Sequence, residues 1–168
     1  MKVLVIRHAI AEEREAFAES GKSDDERPLT ANGRRRMERA ARGLHTLVPR
    51  INLLASSPLV RAQQTAAVVA KVFRTEVGEE TASLSPGASL DQFAKWLAPH
   101  AELDVIAVVG HEPHLSALVT WLLSGLSDSR IEFKKGGACL LELDGQPGPA
   151  AAKLHWLLTP KALRQLTD

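Results

Sequence analysis

Two short runs of β-branched residues, leucine and alanine, Val3-Leu4-Val5-Ile6 and Val105-Ile106-Ala107-Val108-Val109, constrain this chain more than any other feature. Neither alternates apolar with polar side chains, so neither suits a strand with one wet face. Each reads as a strand covered on both sides, as in a parallel sheet. Both stop abruptly, one at Arg7-His8 and the other at Gly110-His111.

A third apolar strand is expected over residues 51–55, turning at Ser56-Ser57-Pro58, and a short fourth one near 75–77. Helical patterns fill the intervals. Thr30 is a candidate N-cap, and Met37, Ala40, Ala41, Leu44, Leu47 and Val48 recur at helical spacing until Pro49. Residues 60–73 form a helix rich in alanine and valine, 89–97 align Leu90, Phe93 and Leu97, and 114–123 follow His111. Residues 138–143 and 151–158 flank Gly145-Gln146-Pro147-Gly148 and predict an antiparallel hairpin. Strands alternating with helices predict an α/β fold, a three-layer α/β/α sandwich with a mostly parallel central sheet and a C-terminal antiparallel hairpin. With no internal repeat and no linker, a single domain over residues 1–168 is expected.

Composition removes several function classes. The 21 basic residues nearly balance 20 acidic ones, for a net charge of +1, which argues against a globally basic nucleic-acid binder. The single cysteine, Cys139, cannot close an intramolecular bridge, and no Cys/His spacing fits a structural zinc site. The apolar run before Arg7 is too short for a signal peptide or a membrane span, so a soluble, cytoplasmic protein is expected.

In open α/β sheets ligands bind beyond the carboxyl ends of the strands. Arg7, His8, Arg61 and His111 all fall at or just after such ends. Two guanidinium forks and two imidazoles suit a tetrahedral phosphoryl group, because phosphoryl transfer needs mainly positioning and charge stabilisation. One imidazole can attack phosphorus and split hydrolysis into two steps, and arginines that supply the charge make a metal or other cofactor unnecessary. The polar stretch 12–27 reads as a long loop or lid with one short helical turn.

These residues resemble the histidine phosphatase superfamily, which includes the phosphoglycerate mutases. Val5-Ile6-Arg7-His8-Ala9 looks like its first motif, Ser56-Ser57-Pro58-Leu59-Val60-Arg61-Ala62-Gln63-Gln64-Thr65 like its second, and Val108-Val109-Gly110-His111 like its third. Small size and Arg27-Pro28-Leu29-Thr30-Ala31-Asn32-Gly33 are most similar to the SixA-type phosphohistidine phosphatases. The resemblance implies that His8 is the phosphorylated nucleophile, that Arg7, Arg61 and His111 bind and stabilise the phosphoryl group, and that Arg27 lines the pocket mouth. It implies a phosphohistidine-bearing protein as substrate and partner, a phosphotransfer or phosphocarrier domain.

The chain departs from the family in two places. Ala9 stands where glycine is usual, and its Cβ is expected to restrict the backbone and crowd the pocket. The mutase branch has a glutamate acid after the third strand, whereas Leu84-Ser85-Pro86-Gly87 has no carboxylate. An alkoxide leaving group needs a proton; phosphohistidine, with its labile P–N bond, needs a dedicated acid less. Glu112 resembles the acid of the histidine acid phosphatase branch and is the candidate donor. A small sugar or nucleoside phosphomonoester is the alternative substrate, and a silent phosphohistidine-binding module the alternative of another class.

Several residues keep a plainer reading beside the sharper one. Arg27 adjoins Asp24, Asp25 and Glu26, so a surface ion pair competes with a pocket role. Arg34, Arg35, Arg36, Arg39 and Arg42 crowd the helix within 30–48, as a solvated face or as a dock for an acidic partner; Glu38 can pair with Arg42. His111-Glu112-Pro113-His114 lacks the four-residue histidine spacing of a zinc helix. His45, His100 and His155 read as ordinary surface or half-buried residues, and Trp96, Trp121 and Trp156 as core.

Overall fold

The computed structural model describes residues 1–167. Six strands form one sheet: β1 (Lys2–Arg7), β2 (Leu53–Ser56), β3 (Glu79–Glu80), β4 (Val105–Gly110), β5 (Ala138–Leu143) and β6 (Ala152–Leu158), ordered β3-β2-β4-β1-β5-β6. The β3-β2-β4-β1 part is parallel, while β5 and β6 run antiparallel beside β1. Six α-helices connect and cover it: α1 (Arg14–Ala18), α2 (Ala31–Leu47), α3 (Val60–Phe73), α4 (Leu90–Leu97), α5 (His114–Ser124) and α6 (Pro160–Gln165). The sheet, the hairpin and the layered helices are those expected.

Alternation along the central strands explains their unbroken apolar sequence. Leu4 and Ile6 of β1, with Ala107 and Val109 of β4, pack against Met37, Ala41 and Leu44 of α2, Ala62, Ala66 and Val69 of α3, and Leu163 of α6. Val3, Val5, Ile106 and Val108 face the other way, onto Phe93 and Leu97 of α4 and Leu115, Leu118 and Leu122 of α5. Each strand residue thus removes its side chain from water on one face or the other, at roughly 1.5–3 kcal/mol for a full-sized apolar group. Cys139 of β5 is fully buried in this second core, paired in register with Val5.

Helix ends follow local chemistry. The Thr30 side chain accepts from Gly33 N–H as the N-cap of α2, and a Ser89–Gln92 capping box opens α4. A Cβ on Gly33 would collide with the Ile10 carbonyl, and one on Gly43 with that of Leu163, so these glycines let α2 approach its neighbours closely.

Two strands are displaced from expectation, and one helix is added. The second strand is β2 at Leu53–Ser56, not 51–55, and the short edge strand is Glu79–Glu80, not 75–77. Pairing decides the latter: Glu79 and Glu80 lie opposite Ala55 and Ser56, despite the lower β preference of glutamate. Helix α6 was unforeseen, though Thr159 caps it and Pro160 occupies its first turn. The 12–27 stretch carries two short turns, α1 and a 3-10 turn at Asp24–Glu26. The arginines of α2 are exposed, with Arg42 paired to Glu38 at 2.8 Å, and the three tryptophans sit half-buried at the core margins. Among the described residues no helix is long and apolar enough to cross a membrane.

Candidate active site

Strand register creates the site. Arg7 lies opposite Gly110 at the carboxyl ends of β1 and β4, so the next residues, His8 and His111, emerge side by side with ring centroids 5.1 Å apart. The His8 N–H donates to the Gly110 carbonyl at 3.0 Å, and the Ser57 N–H to Val109 at 3.1 Å, which extends the ladder past the strand ends. Arg61 follows in the first turn of α3, almost fully buried. Thr65, one turn on, accepts from Ala9 N–H at 3.0 Å while donating to the Arg61 carbonyl at 2.7 Å. One hydroxyl therefore joins the helix that carries Arg61 to the backbone beside His8.

The protonation of His8 can be read from its partner. Nδ1 lies 2.7 Å from the Ala9 carbonyl, which can only accept, so Nδ1 carries the proton. Burial, opposed by that hydrogen bond and reinforced by the positive charges of Arg61, Arg7 and Lys135, pushes the His8 pKa down to about 3. At neutral pH the ring is neutral and Nε2 keeps its lone pair.

His111 is also pushed down to about 3, first by burial and then by His8, Arg61, His114 and Arg7. Its Nε2 lies 2.6 Å from Ser57 Oγ, which accepts the Leu59 N–H at 3.3 Å. The Ser57 hydroxyl can accept both N–H groups or donate its own proton to Nε2, so this contact orients the His111 ring and leaves either tautomer open.

Arg7 NH1 donates to the Phe133 carbonyl at 2.5 Å. Arg7 Nε, Arg61 Nε and His111 Nδ1 are buried without a hydrogen-bond partner among the described residues. Buried polar atoms are ordinarily satisfied, and these three belong to residues that line, with His8, a single cavity of about 470 Å³. Such a constellation offers donors and positive charge to an oxyanion.

Arg27 combines its two expected readings, an ion pair with a partly exposed Asp24 and a place in the cavity lining. It is buried, donates from Nε to Asp24 Oδ1 at 2.8 Å and from NH1 to the Glu12 carbonyl at 2.7 Å, and lines the cavity. Gln64 holds the following segment by accepting from Leu29 N–H at 2.8 Å.

Ala9 does not crowd the cavity. Its φ lies outside the left-handed region, and its side chain is buried in the core with Leu29 and Met37, away from the cavity lining. Glu112 does line the cavity, but its Oε1 accepts from Ser116 N–H at 2.9 Å, so one oxygen serves the start of α5. His114 is aimed elsewhere, with Nε2 3.1 Å from the Ser83 carbonyl. His100 bridges Glu79 and Trp96, His155 meets Glu142, and His45 packs edge-on against Phe73.

Sequence reasoning gave no site role to Ser57 or Lys135 and named Asp24 only as an ion-pair neighbour of Arg27. Ser57 carried a signal, a hydroxyl at a strand end two residues before Leu59, and Asp24 carried one as an i, i+3 neighbour of Arg27. Lys135, in the segment before β5, carried none.

Comparison with known proteins agrees with this geometry. A family model, histidine phosphatase superfamily (branch 1), matches residues 3–83. An uncharacterized protein of Picosynechococcus sp. is 33% identical over 142 residues, 82% of each chain. Among solved structures, the protein histidine phosphatase SixA in complex with tungstate superposes with a TM-score of 0.83 at 25% identity, covering 97% of this chain and 99% of SixA. The alpha-ribazole phosphatase of Shigella flexneri shares the fold at a TM-score of 0.72 and 20% identity, over 95% and 97% of the two chains. Sequence motifs, strand-end geometry and fold converge, and the chain belongs to branch 1 of the histidine phosphatase superfamily.

Proposed function

We propose that the protein is a phosphatase that forms a phosphohistidine intermediate at His8 without a metal ion, and that its substrate is phosphohistidine on a signalling or phosphocarrier protein. The observation that carries this reading is the set of buried, unpartnered atoms Arg7 Nε, Arg61 Nε and His111 Nδ1 on residues that surround the neutral ring of His8.

In this reading Arg7, Arg61 and His111 receive the phosphoryl oxygens, with Arg27 adding charge at the mouth. The Nε2 lone pair of His8 attacks phosphorus, the P–N bond of the substrate breaks, and the substrate's imidazole, already protonated on its other ring nitrogen, leaves as a neutral ring with the electron pair. The phosphorylated ring of His8 is cationic, and its Nδ1–H stays on the Ala9 carbonyl. Water then attacks phosphorus, the bond to Nε2 breaks with its electron pair returning to the ring, and the product leaves as dihydrogen phosphate carrying both water protons, which restores the neutral ring. Loop 81–88 contributes only Pro86 to the cavity lining, so no carboxylate arrives from that side for an alkoxide leaving group.

The test is phosphate release from a histidine-phosphorylated carrier protein, with and without chelator, by the native protein and by His8→Ala, beside a small phosphomonoester. Release that survives chelation and falls about a thousandfold or more in His8→Ala is expected. Preference for the phosphomonoester would transfer the function to small substrates. Tight binding without turnover would make the protein a phosphohistidine-binding module.

A further inference from the structure

Asp24 opens the 3-10 turn in the 12–27 loop and meets three arginines at once. Its Oδ1 accepts from Arg27 Nε at 2.8 Å and lies 3.5 Å from Arg14 Nε. Its Oδ2 lies 3.2 Å from Arg61 NH2, while its main-chain carbonyl accepts from Arg61 NH1 at 2.9 Å. Arg61 is thus gripped at two terminal nitrogens by one residue, and its Nε–H is left over.

We propose that Asp24 is a positioning residue for phosphoryl transfer, which fixes the plane of the Arg61 guanidinium and its spacing from Arg27. The inference rests on the reading of the cavity as a phosphoryl site.

Three physical arguments support it. An arginine side chain has many rotamers, and a two-point contact at the guanidinium removes most of that freedom before substrate arrives. Arg27 and Arg14 repel Arg61, and the Asp24 carboxylate offsets that repulsion where the side chains converge. Asp24 is itself 39% exposed at its side chain, so the contact adds little to stability; its effect falls on orientation. The Arg27 hydrogen bond holds its carboxyl below the usual range, so it stays ionised through neutral pH.

Orientation matters most where charge spreads over the equatorial oxygens of a five-coordinate phosphorus. Loss of Asp24 should therefore weaken an analogue of that geometry more than it weakens the tetrahedral ground state. Calorimetric titration with orthovanadate and with inorganic phosphate would compare the native protein with Asp24→Ala, Asp24→Asn and Asp24→Glu. Turnover of a histidine-phosphorylated carrier would be followed in parallel, and circular dichroism would check each fold. In Asp24→Ala, vanadate affinity and kcat should each fall about tenfold or more, with phosphate affinity and KM within about threefold, and Asp24→Glu should recover part of the loss.

Equal losses for the two anions with unchanged kcat would overturn the inference. So would tighter binding of both, which would make Asp24 a competitor for Arg61. If the native protein binds both anions yet hydrolyses no phosphohistidine, the proposed function fails while the anion series still decides the role of Asp24. A native protein that binds neither anion would sink both.

Discussion

The cavity is lined by two kinds of chain. Arg7, His8 and His111 stand on the last residues of β1 and β4 and the first residues beyond them, where ladder hydrogen bonds and two buried cores fix the backbone. Arg27, with its partner Asp24 behind the lining, stands on a loop that the Gln64 side chain, the Ala11–Leu29 bridge and the arginine–carboxylate contacts hold in place. Arg61 joins the two, since it is carried by α3 but gripped from the loop. Under the proposed function the difference separates tasks: the sheet would set where the reacting nitrogen sits, and the loop how the positive charge around it is aimed.

Substitution on the two sides should separate accordingly. Arg61→Ala is expected to lower kcat by about 10²–10³, the usual cost of losing one oriented donor to a developing oxyanion, whereas Arg27→Ala should cost about tenfold and act mainly through KM. Steady-state kinetics on a histidine-phosphorylated carrier decides this, and equal effects would abolish the distinction.

Acid should expose the strand-borne side. His8 and His111 are neutral in the fold, with pKa values near 3, but unfolded they titrate near the ordinary histidine value of about 6.5. Between those values the unfolded chain binds more protons, so their contribution is fully present above about pH 6.5 and is lost as pH falls toward 3. Thermal melts should fall in temperature from pH 7 to pH 4, and His8→Asn should remove about half of the part due to this pair. An unchanged slope would mean that other groups govern the acid limb.

The smallest effect is expected at Glu112→Gln. One Glu112 oxygen already accepts from Ser116 N–H, and an amide oxygen can do the same. The rate on phosphohistidine should stay within about twofold, and a larger loss would make Glu112 the proton donor.

The same division separates what is legible in the sequence from what is not. Apolar runs in β1 and β4 announced buried parallel strands, and the residues just past them followed from the rule that such sheets bind ligands at their carboxyl ends. Helix α3 carries the expected bounds because alanine and valine recur there between a turn and the left-handed cap at Arg74. Strand β3 was misplaced because its pairing with β2, not its composition, selects two glutamates. The contacts of Asp24 with Arg61 and of Ser57 with His111 are not legible in the sequence because they span 37 and 54 residues along the chain, which no local pattern encodes. Ala9 looked like a defect only while its backbone angle was unknown.

Cys139 has a consequence of its own. Its thiol is shut inside the core beside β1, and burial raises its pKa, so the thiolate that oxidants and alkylating agents need hardly forms. It is also the only cysteine, so the fold has no intramolecular disulfide to gain or lose. Built on an imidazole nucleophile and stabilised by packing, the enzyme we propose would keep its rate whether its surroundings are oxidising or reducing.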